Sequence, residues 1–348
     1  MKPESVFVGG REIGPGHPCF LVIEVGTTCL GDLDNALSLI KVCSDVGADA
    51  VKFQVIDPNQ LSDQTVEYRF SSGGIERSHS MQDMFRKLQF SHDDWLRLSE
   101  ECRKLGIMFL ATVDYPEGVD LLDSLGVVAH KMGAWDITYK LLVDKIGKTG
   151  KPLFVDLGPA SEEELDDLIN WYLAAGGTAV LPMHDFHTKD VCEMNMRAIQ
   201  FLNEKYKWPA GYSSPDRNDD LDFLALGLGA NYLEKRLTLS RSLEAFHADE
   251  SLEPSELEAW VRRIREAERS LGTISVTPSN ADQRMANSYY RSICASAPIS
   301  KGDRLTYKNL TGKRPGTGIP TNRFEEVIGR DASRDISANA LLSWEDIV

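Results

Sequence analysis

Two lysines stand where an apolar strand would bury them. Lys52 lies between Val51 and Phe53, and Lys131 between His130 and Met132. A buried ammonium is costly unless it is paired or holds a ligand. One reading is an anion pocket, in which Lys52 and Lys131 grip a phosphate or carboxylate while Thr112 and Ser213 donate hydrogen bonds. Another is structural pairing, Lys52 with Glu24 and Lys131 with Asp156. A third makes one lysine a nucleophile that forms a Schiff base.

Histidines offer further chemistry. His184-Asp185-Phe186-His187 could give two ligands to a divalent metal, with Cys29, His247 or Asp249 completing the shell. Otherwise His184 and His187 contact substrate or are loop polars. His247, in Phe246-His247-Ala248-Asp249, could act as acid or base near pH 7 or be a plain loop residue. Trp135, beside Asp136, could stack on a ligand or pack on a loop. His130 should face a helical layer, because side chains alternate across a strand and Lys131 is its neighbour.

The elements around these residues explain how they could meet. Cys19–Gly26 is an apolar run ending in a carboxylate, Glu24, and a glycine, Gly26, which reads as a buried strand entering a loop. A helix over Asp34–Val46 follows, then a strand over Ala50–Gln54. The unit recurs. Helices are expected at Phe90–Leu105 (Ser91 as N-cap, Asp94 three residues on), Glu117–Leu125, Tyr139–Thr149, Ser161–Ala175, Val191–Lys205, Leu221–Leu228 and Pro254–Arg269. Glycines at 47, 106, 126, 150 and 176 close several of them. Eight strand starts fall near residues 20, 49, 107, 127, 152, 178, 209 and 231. Eight βα units predict a closed parallel (β/α)8 barrel over 18–269. A doubly wound sheet fits less well, since Gly26–Gly31 is not a GxGxxG turn.

In such a barrel the strand C-termini converge on one pocket. That rule nominates Glu24, Lys52, Gln54, Thr112, Lys131, Asp136, Asp156, Ser213 and Lys235. Asp57–Ser80 reads as a long rim loop over the site, 270–287 as a linker, and 288–348 as a small β-rich module with a turn at Ser300–Asp303.

Composition sets outer limits. The chain has 348 residues, 42% hydrophobic and 26% charged, an ordinary globular balance. Its formal net charge of −15 opposes nucleic acid and anionic membranes as partners, though one basic pocket could still bind an anion. Met1–His17 lacks an apolar signal core, and no apolar run is long enough to span a membrane. The six dispersed cysteines fit free thiols and a cytoplasmic setting.

Several segments together resemble the sialic acid synthase (N-acetylneuraminate synthase) family. They are Ile23–Gly26, Gly47–Gln54, Met108–Thr112, His130–Gly133, Gly211–Ser213, Leu233-Glu234 and Glu250–Pro254. Lys313-Arg314-Pro315-Gly316-Thr317-Gly318 resembles the signature of that family's antifreeze-like (SAF) domain. The resemblance implies condensation of phosphoenolpyruvate with the open-chain aldehyde of an N-acylated amino sugar, giving a nine-carbon 2-keto acid and phosphate. It also implies a divalent metal that polarises the aldehyde, and a homodimer in which the SAF domain of one chain covers the barrel of the other. Carried onto this sequence, Lys52, Thr112, Lys131 and Ser213 would grip the phosphate, Glu24 would lie near the reacting carbons, and Gln54 would line the pocket. Arg314 would reach the sugar across the dimer.

The departures cluster. The Ile-Asn-His after the first strand reads Thr27-Thr28-Cys29, and the two metal-ligand histidines fall on Pro215 and Arg236. Two phosphate-side serines are Ala134 and Asp156, the glutamate two residues beyond the first is Asp136, and the sugar-binding Asn-x-Tyr is Asp185-Phe186-His187. An acid beyond the last strand falls on His247. The expectation is a divergent condensation without the usual metal, in which Arg236 supplies positive charge and Glu24, His187 or His247 serves the chemistry. The alternatives are a Schiff-base aldolase or lyase, and a non-catalytic sugar-acid binding protein.

Overall fold

The computed structural model describes residues 3–72, 74–188, 190–214 and 216–348. The chain divides into two compact units, 1–272 and 273–348. The first is an eight-stranded closed barrel, all parallel. Its strands are β1 (Phe20–Glu24), β2 (Ala50–Val55), β3 (Met108–Val113), β4 (His130–Met132), β5 (Leu153–Asp156), β6 (Val180–His184), β7 (Gly211–Ser213) and β8 (Tyr232–Arg236). Each pairs with its sequence neighbours, and β8 closes on β1 with Arg236 opposite Glu24. The helices are α1 (Leu33–Asp45), α2 (His92–Leu105), α3 (Pro116–Ser124), α4 (Lys140–Gly147), α5 (Glu162–Ala174), α6 (Ala198–Tyr206), α7 (Asp220–Gly227) and α8 (Pro254–Leu271).

Alternation along the strands builds two cores. Leu21 and Ile23 point outward to Ala36, Leu39, Ile40 and Cys43 of α1, within the large core between barrel and helices. Phe20 and Val22 point inward and meet Leu110, Phe154, Leu181 and Tyr232. Each such side chain, fully buried, contributes about 1.5–3 kcal/mol of transfer free energy. Val6, Val8 and Ile13 of an N-terminal hairpin (Val6–Val8 paired with Arg11–Ile13) join this inner core. The lower barrel is thus packed with apolar groups, and only the upper layer is free for polar ones.

Helix ends follow local chemistry. Ser91 and Asp94 form the reciprocal cap expected of α2, which ends on Gly106 at φ 71°. Ser161 and Glu164 do the same for α5. The helix expected over Val191–Lys205 is broken instead. A short 3-10 turn (Val191–Glu193) precedes Asn195 at φ 44°, a left-handed conformation that an α-helix cannot continue through, and α6 starts only at Ala198. The rim insertion is not a plain loop. It holds the hairpin Glu67–Ser72/Ile75–Ser80, whose Tyr68 and Phe70 meet Phe246 edge-on at 4.8 and 5.4 Å.

In the second unit, β9 (Ser292–Ala295) pairs antiparallel with β10 (Leu310–Lys313). Its own core includes Ile293, Ile299, Leu305, Val327, Ile336 and Leu342. The Ser300–Asp303 turn forms, with the Ser300 N–H donating to Asp303 Oδ2 at 2.8 Å. The stretch read as a linker contains a helix, Asn280–Tyr289, capped by Ser279 and Asp282. All six cysteines are free thiols. Among the described residues no helix is long and apolar enough to cross a membrane.

Candidate active site

The upper ends of the barrel strands surround a cavity of about 310 Å³. Six of the eight strands have a side chain of alternating register there. β1 gives Glu24, β2 Lys52 and Gln54, β3 Thr112, β5 Asp156, β7 Ser213, and β8 Glu234 and Arg236. The segments that follow the strands add Asp114, Asp136, Asp185, His187 and His247. A larger hollow of about 580 Å³ at the other end of the barrel is lined by groups such as Pro15, Leu226 and Leu271, and holds no strand-end polar cluster.

The two lysines behave differently from a pair of open anion grips. Lys52 Nζ lies 2.6 Å from Glu234 Oε1 and 3.1 Å from Glu24 Oε2, yet its side chain still borders the cavity. Lys131 is more deeply sunk. It forms an ion pair with Asp156, lies 3.5 Å from Glu234 Oε2, and is absent from the cavity wall. The structural pairings Lys52–Glu24 and Lys131–Asp156 therefore both exist, and Lys131 acts from behind Asp156 rather than as a direct grip.

Electrostatics fixes the charge states. Burial opposes the Lys52 ammonium, but Glu234 and Glu24 outweigh it and raise its pKa above the ordinary lysine value. A Schiff-base nucleophile needs the opposite shift. Burial raises Glu24, although Lys52 counters it. Burial also works against Glu234, but Lys131 and Lys52 hold it below its ordinary value. The Asp185 bond raises His187 despite burial, across 3.4 Å. His187 stacks on Trp135 with ring centres 5.2 Å apart, so this tryptophan packs against a site residue.

Arg236 is the exception. Its side chain lines the cavity, and among the described residues it has no hydrogen-bond or ion-pair partner. Its charge is felt by Glu24 and Asp185, both of which it lowers.

Three expectations need correction. Lys235 does not join the pocket. It follows Glu234 and precedes Arg236, so it points outward, where Nζ donates to Asp222 Oδ2 at 2.8 Å and Ser214 Oγ at 3.1 Å. His247 reaches the cavity, but burial and the charges of Arg236, His187 and Lys52 push its pKa well below the ordinary value. It is neutral at pH 7, so of the expected acid-or-base role only the acid half falls away. His184 and His187 do not converge, because His184 turns outward and its Nε2 lies 2.7 Å from the Met194 carbonyl. Cys29 is turned away too, its Sγ donating to the Gly26 carbonyl. Among the described residues no three His, Cys, Asp or Glu side chains are grouped so as to hold a metal ion.

Other placements follow the sequence. His130 faces the helices, with Nε2 3.1 Å from Asp123 Oδ1. Gln54 Nε2 donates to Glu24 Oε1 at 3.4 Å, a long bond, while the Gly26 N–H reaches the same oxygen at 2.8 Å. Arg314 belongs to the second unit, where its Nε donates to the Tyr289 carbonyl. Pro215 lies outside the described residues. Two pocket acids were not singled out as site residues, Glu234 and Asp114. Glu234 sits two before Arg236 on one strand, so alternation alone would have found it. Asp114 lies just past β3, where no periodic signal applies.

Residues 39–275 match the NeuB family and residues 290–348 match the SAF domain. The chain belongs to the NeuB family. As a member it is a sialic acid synthase-like enzyme, with a family barrel followed by a SAF domain. It is 30% identical over 346 residues to the N,N'-diacetyllegionaminic acid synthase of Legionella pneumophila, covering 97% of each chain. It is 28% identical over 341 residues to the human N-acetylneuraminate-9-phosphate synthase, covering 95% of this chain and 93% of that one. Its fold is similar to the crystal structure of the N-acetylneuraminic acid synthetase of Leptospira borgpetersenii in complex with citrate. The TM-score is 0.73 at 25% identity, over 82% of this chain and 95% of that one.

Proposed function

We propose that this enzyme condenses phosphoenolpyruvate with an aldose or amino-sugar aldehyde, giving a 2-keto sugar acid and phosphate without a metal at the family's position. The observation that carries the reading is Arg236, a guanidinium without a partner among the described residues, on the wall of a cavity that also holds the Lys52 ammonium. An unpaired, half-buried cation on a cavity wall favours an anionic ligand or a developing anion there.

In this reading Lys52 and Arg236 hold the charged ends of phosphoenolpyruvate, and the Thr112 and Ser213 hydroxyls donate to it. Lys131 neutralises Asp156, which removes the repulsion that a carboxylate on the phosphate side would otherwise exert. The C3 carbon of the enol attacks the aldehyde carbon, and the new alkoxide gathers charge that Arg236 stabilises. Water adds at C2, its proton passing to Glu24, whose burial has raised its affinity for one. The C–O bond to phosphate then breaks as the C2 hydroxyl passes its proton to the departing phosphate, and the alkoxide takes up the proton held by Glu24, leaving the hydroxylated 2-keto acid and phosphate. Gln54 fixes the Glu24 carboxyl, while Asp185, His187 and Asp136 face the acceptor. His247, being neutral, contributes a hydrogen bond rather than a proton. The donor set at the family's metal position does not fit a metal, since a guanidinium stands there, and no step is routed through one. A homodimer in which Arg314 of the second chain meets the acceptor completes the proposal.

Among the described residues a Schiff-base aldolase finds no free amine at the cavity. Lys52 and Lys131 are ion-paired in the pocket and Lys235 is tied outside it. The test is incubation with phosphoenolpyruvate and a panel of aldoses, reading free phosphate and new 2-keto acids by mass spectrometry. The expected result is both products in equal amounts with at least one aldose. Phosphate release with none of them, or a pyruvate adduct trapped on a lysine by borohydride, would overturn the proposal.

A further inference from the structure

The rim insertion puts a phenol on the cavity wall. Glu67–Ser72 and Ile75–Ser80 pair as an antiparallel hairpin, in which Tyr68 and Phe70 share a face by the two-residue alternation of a strand. That face packs with the buried Phe85 and Phe246 and with Ile56 and Leu61. A two-stranded hairpin is marginal by itself. This one is also fastened to the segment after the last barrel strand. There Asp249 Oδ2 accepts from Ser71 Oγ at 2.8 Å and from the Gly74 N–H at 3.0 Å, and Arg77 pairs with Glu244 at 2.6 Å. The Tyr68 ring is thereby held edge-on to Phe246 at 4.8 Å while its side chain lines the cavity.

Ring packing accounts for an aromatic residue at this position but not for a hydroxyl, since phenylalanine would fill the same space. The Tyr68 hydroxyl has no hydrogen-bond partner among the described residues, and Ile56, Leu61 and Phe85, which share its cluster and the cavity wall, carry no side-chain acceptor. A hydroxyl taken out of water without a partner is destabilising, so the group gains if a ligand meets it. Burial pushes the phenol pKa up, the Arg236 guanidinium pulls it down, and Glu250 raises it again. The phenol is therefore protonated at pH 7, a donor within the field of Arg236.

From this phenol on the wall it shares with Arg236 we infer that Tyr68 is a further substrate-binding residue, whose hydroxyl donates to the oxyanion that Arg236 holds. The inference rests on the reading of the cavity as a phosphoenolpyruvate site and adds a contact from outside the barrel strands. Arg236 supplies charge from β8, and Tyr68 supplies direction, because one O–H on a ring fixed against Phe246 points one way.

The experiment is calorimetric titration of the full-length protein at pH 7 with phosphoenolpyruvate and, separately, with inorganic phosphate. It uses the wild type, Tyr68→Phe, Arg236→Gln and the double variant. Tyr68→Phe should weaken phosphoenolpyruvate binding by about tenfold or more, as for a lost hydrogen bond to a charged group. Its melting temperature should stay within about two degrees of wild type or rise, because the ring packing is intact. The two losses should not add. In the Arg236→Gln background Tyr68→Phe should cost about threefold or less, since both groups meet one oxyanion. Unchanged affinity in Tyr68→Phe, or fully additive losses, overturns the inference. So does a melting temperature lowered by several degrees with affinity intact, which would make the hydroxyl a structural group. If the wild type binds phosphoenolpyruvate and Tyr68→Phe binds it equally well, the Tyr68 inference alone falls. If the wild type binds phosphate but not phosphoenolpyruvate, with the same loss in Tyr68→Phe and the same coupling to Arg236, the condensation reading falls and the Tyr68 contact stands. Binding of neither anion overturns both.

Discussion

Replacing Lys52 with methionine tests the buried charge cluster under the cavity. Lys52→Met keeps the apolar stem but removes the ammonium that meets Glu234 at 2.6 Å and Glu24 at 3.1 Å. Both acids have side chains under a tenth exposed, so water cannot replace the lost partner. Breaking a buried pair in this way costs about 3–5 kcal/mol. For a domain of this size that lowers the melting temperature by about 6–20 °C. The loss should depend on pH. In the wild type Glu234 is held below its ordinary pKa, so its contribution is present above the unfolded glutamate pKa and fades as pH falls through the folded one. In the variant both glutamates titrate higher, so they protonate on mild acidification and the penalty shrinks from pH 7 to pH 5. The assay is urea unfolding of both proteins at the two pH values. A loss under about 1 kcal/mol, or one unchanged by pH, would refute the buried ion-pair geometry.

Arg236→Gln should cut kcat for condensation by about 10²–10³-fold while moving the melting temperature by only a degree or two, because the guanidinium has no partner to abandon among the described residues; steady-state kinetics with thermal melts checks both. Lys235→Met should do the reverse. It strands Asp222, at 2.8 Å in the helical layer, and should cost about 3–5 kcal/mol of stability by urea unfolding while leaving the affinity for phosphoenolpyruvate unchanged. Activity assayed with and without a strong chelator should be the same, and a tenfold loss restored by manganese would contradict the role given to Arg236.

Much of the fold was legible because barrel strands obey a period of two. Phe20, Val22 and Glu24 lie on one face, and Leu21 and Ile23 on the other, so both cores and the pocket edge follow from one count. Lys235 was misassigned because position at a strand end was weighed above register, though Glu234 and Arg236 flank it. Lys131 has the inward register expected, but a carboxylate on the neighbouring strand takes its charge, and cross-strand partners are set by stagger that one strand does not reveal. Asp114 was missed because loops lack periodicity, and its significance comes from burial rather than from its neighbours in sequence. His247 looked like a titrating group because histidine ordinarily titrates near pH 7, whereas three nearby cations and desolvation decide otherwise. The rim hairpin escaped notice because Glu67–Ser72 and Ile75–Ser80 are mostly polar strands, held by Tyr68 and Phe70 against a phenylalanine nearly two hundred residues away.

The most direct measurement is a crystal structure of the protein soaked with phosphoenolpyruvate. The ligand should lie in the 310 Å³ cavity with one anionic end on Lys52 and the other on Arg236, and with Thr112 and Ser213 donating to it. A ligand bound elsewhere, or Arg236 turned away to pair with a protein carboxylate while the cavity stays empty at saturating concentration, would contradict the account.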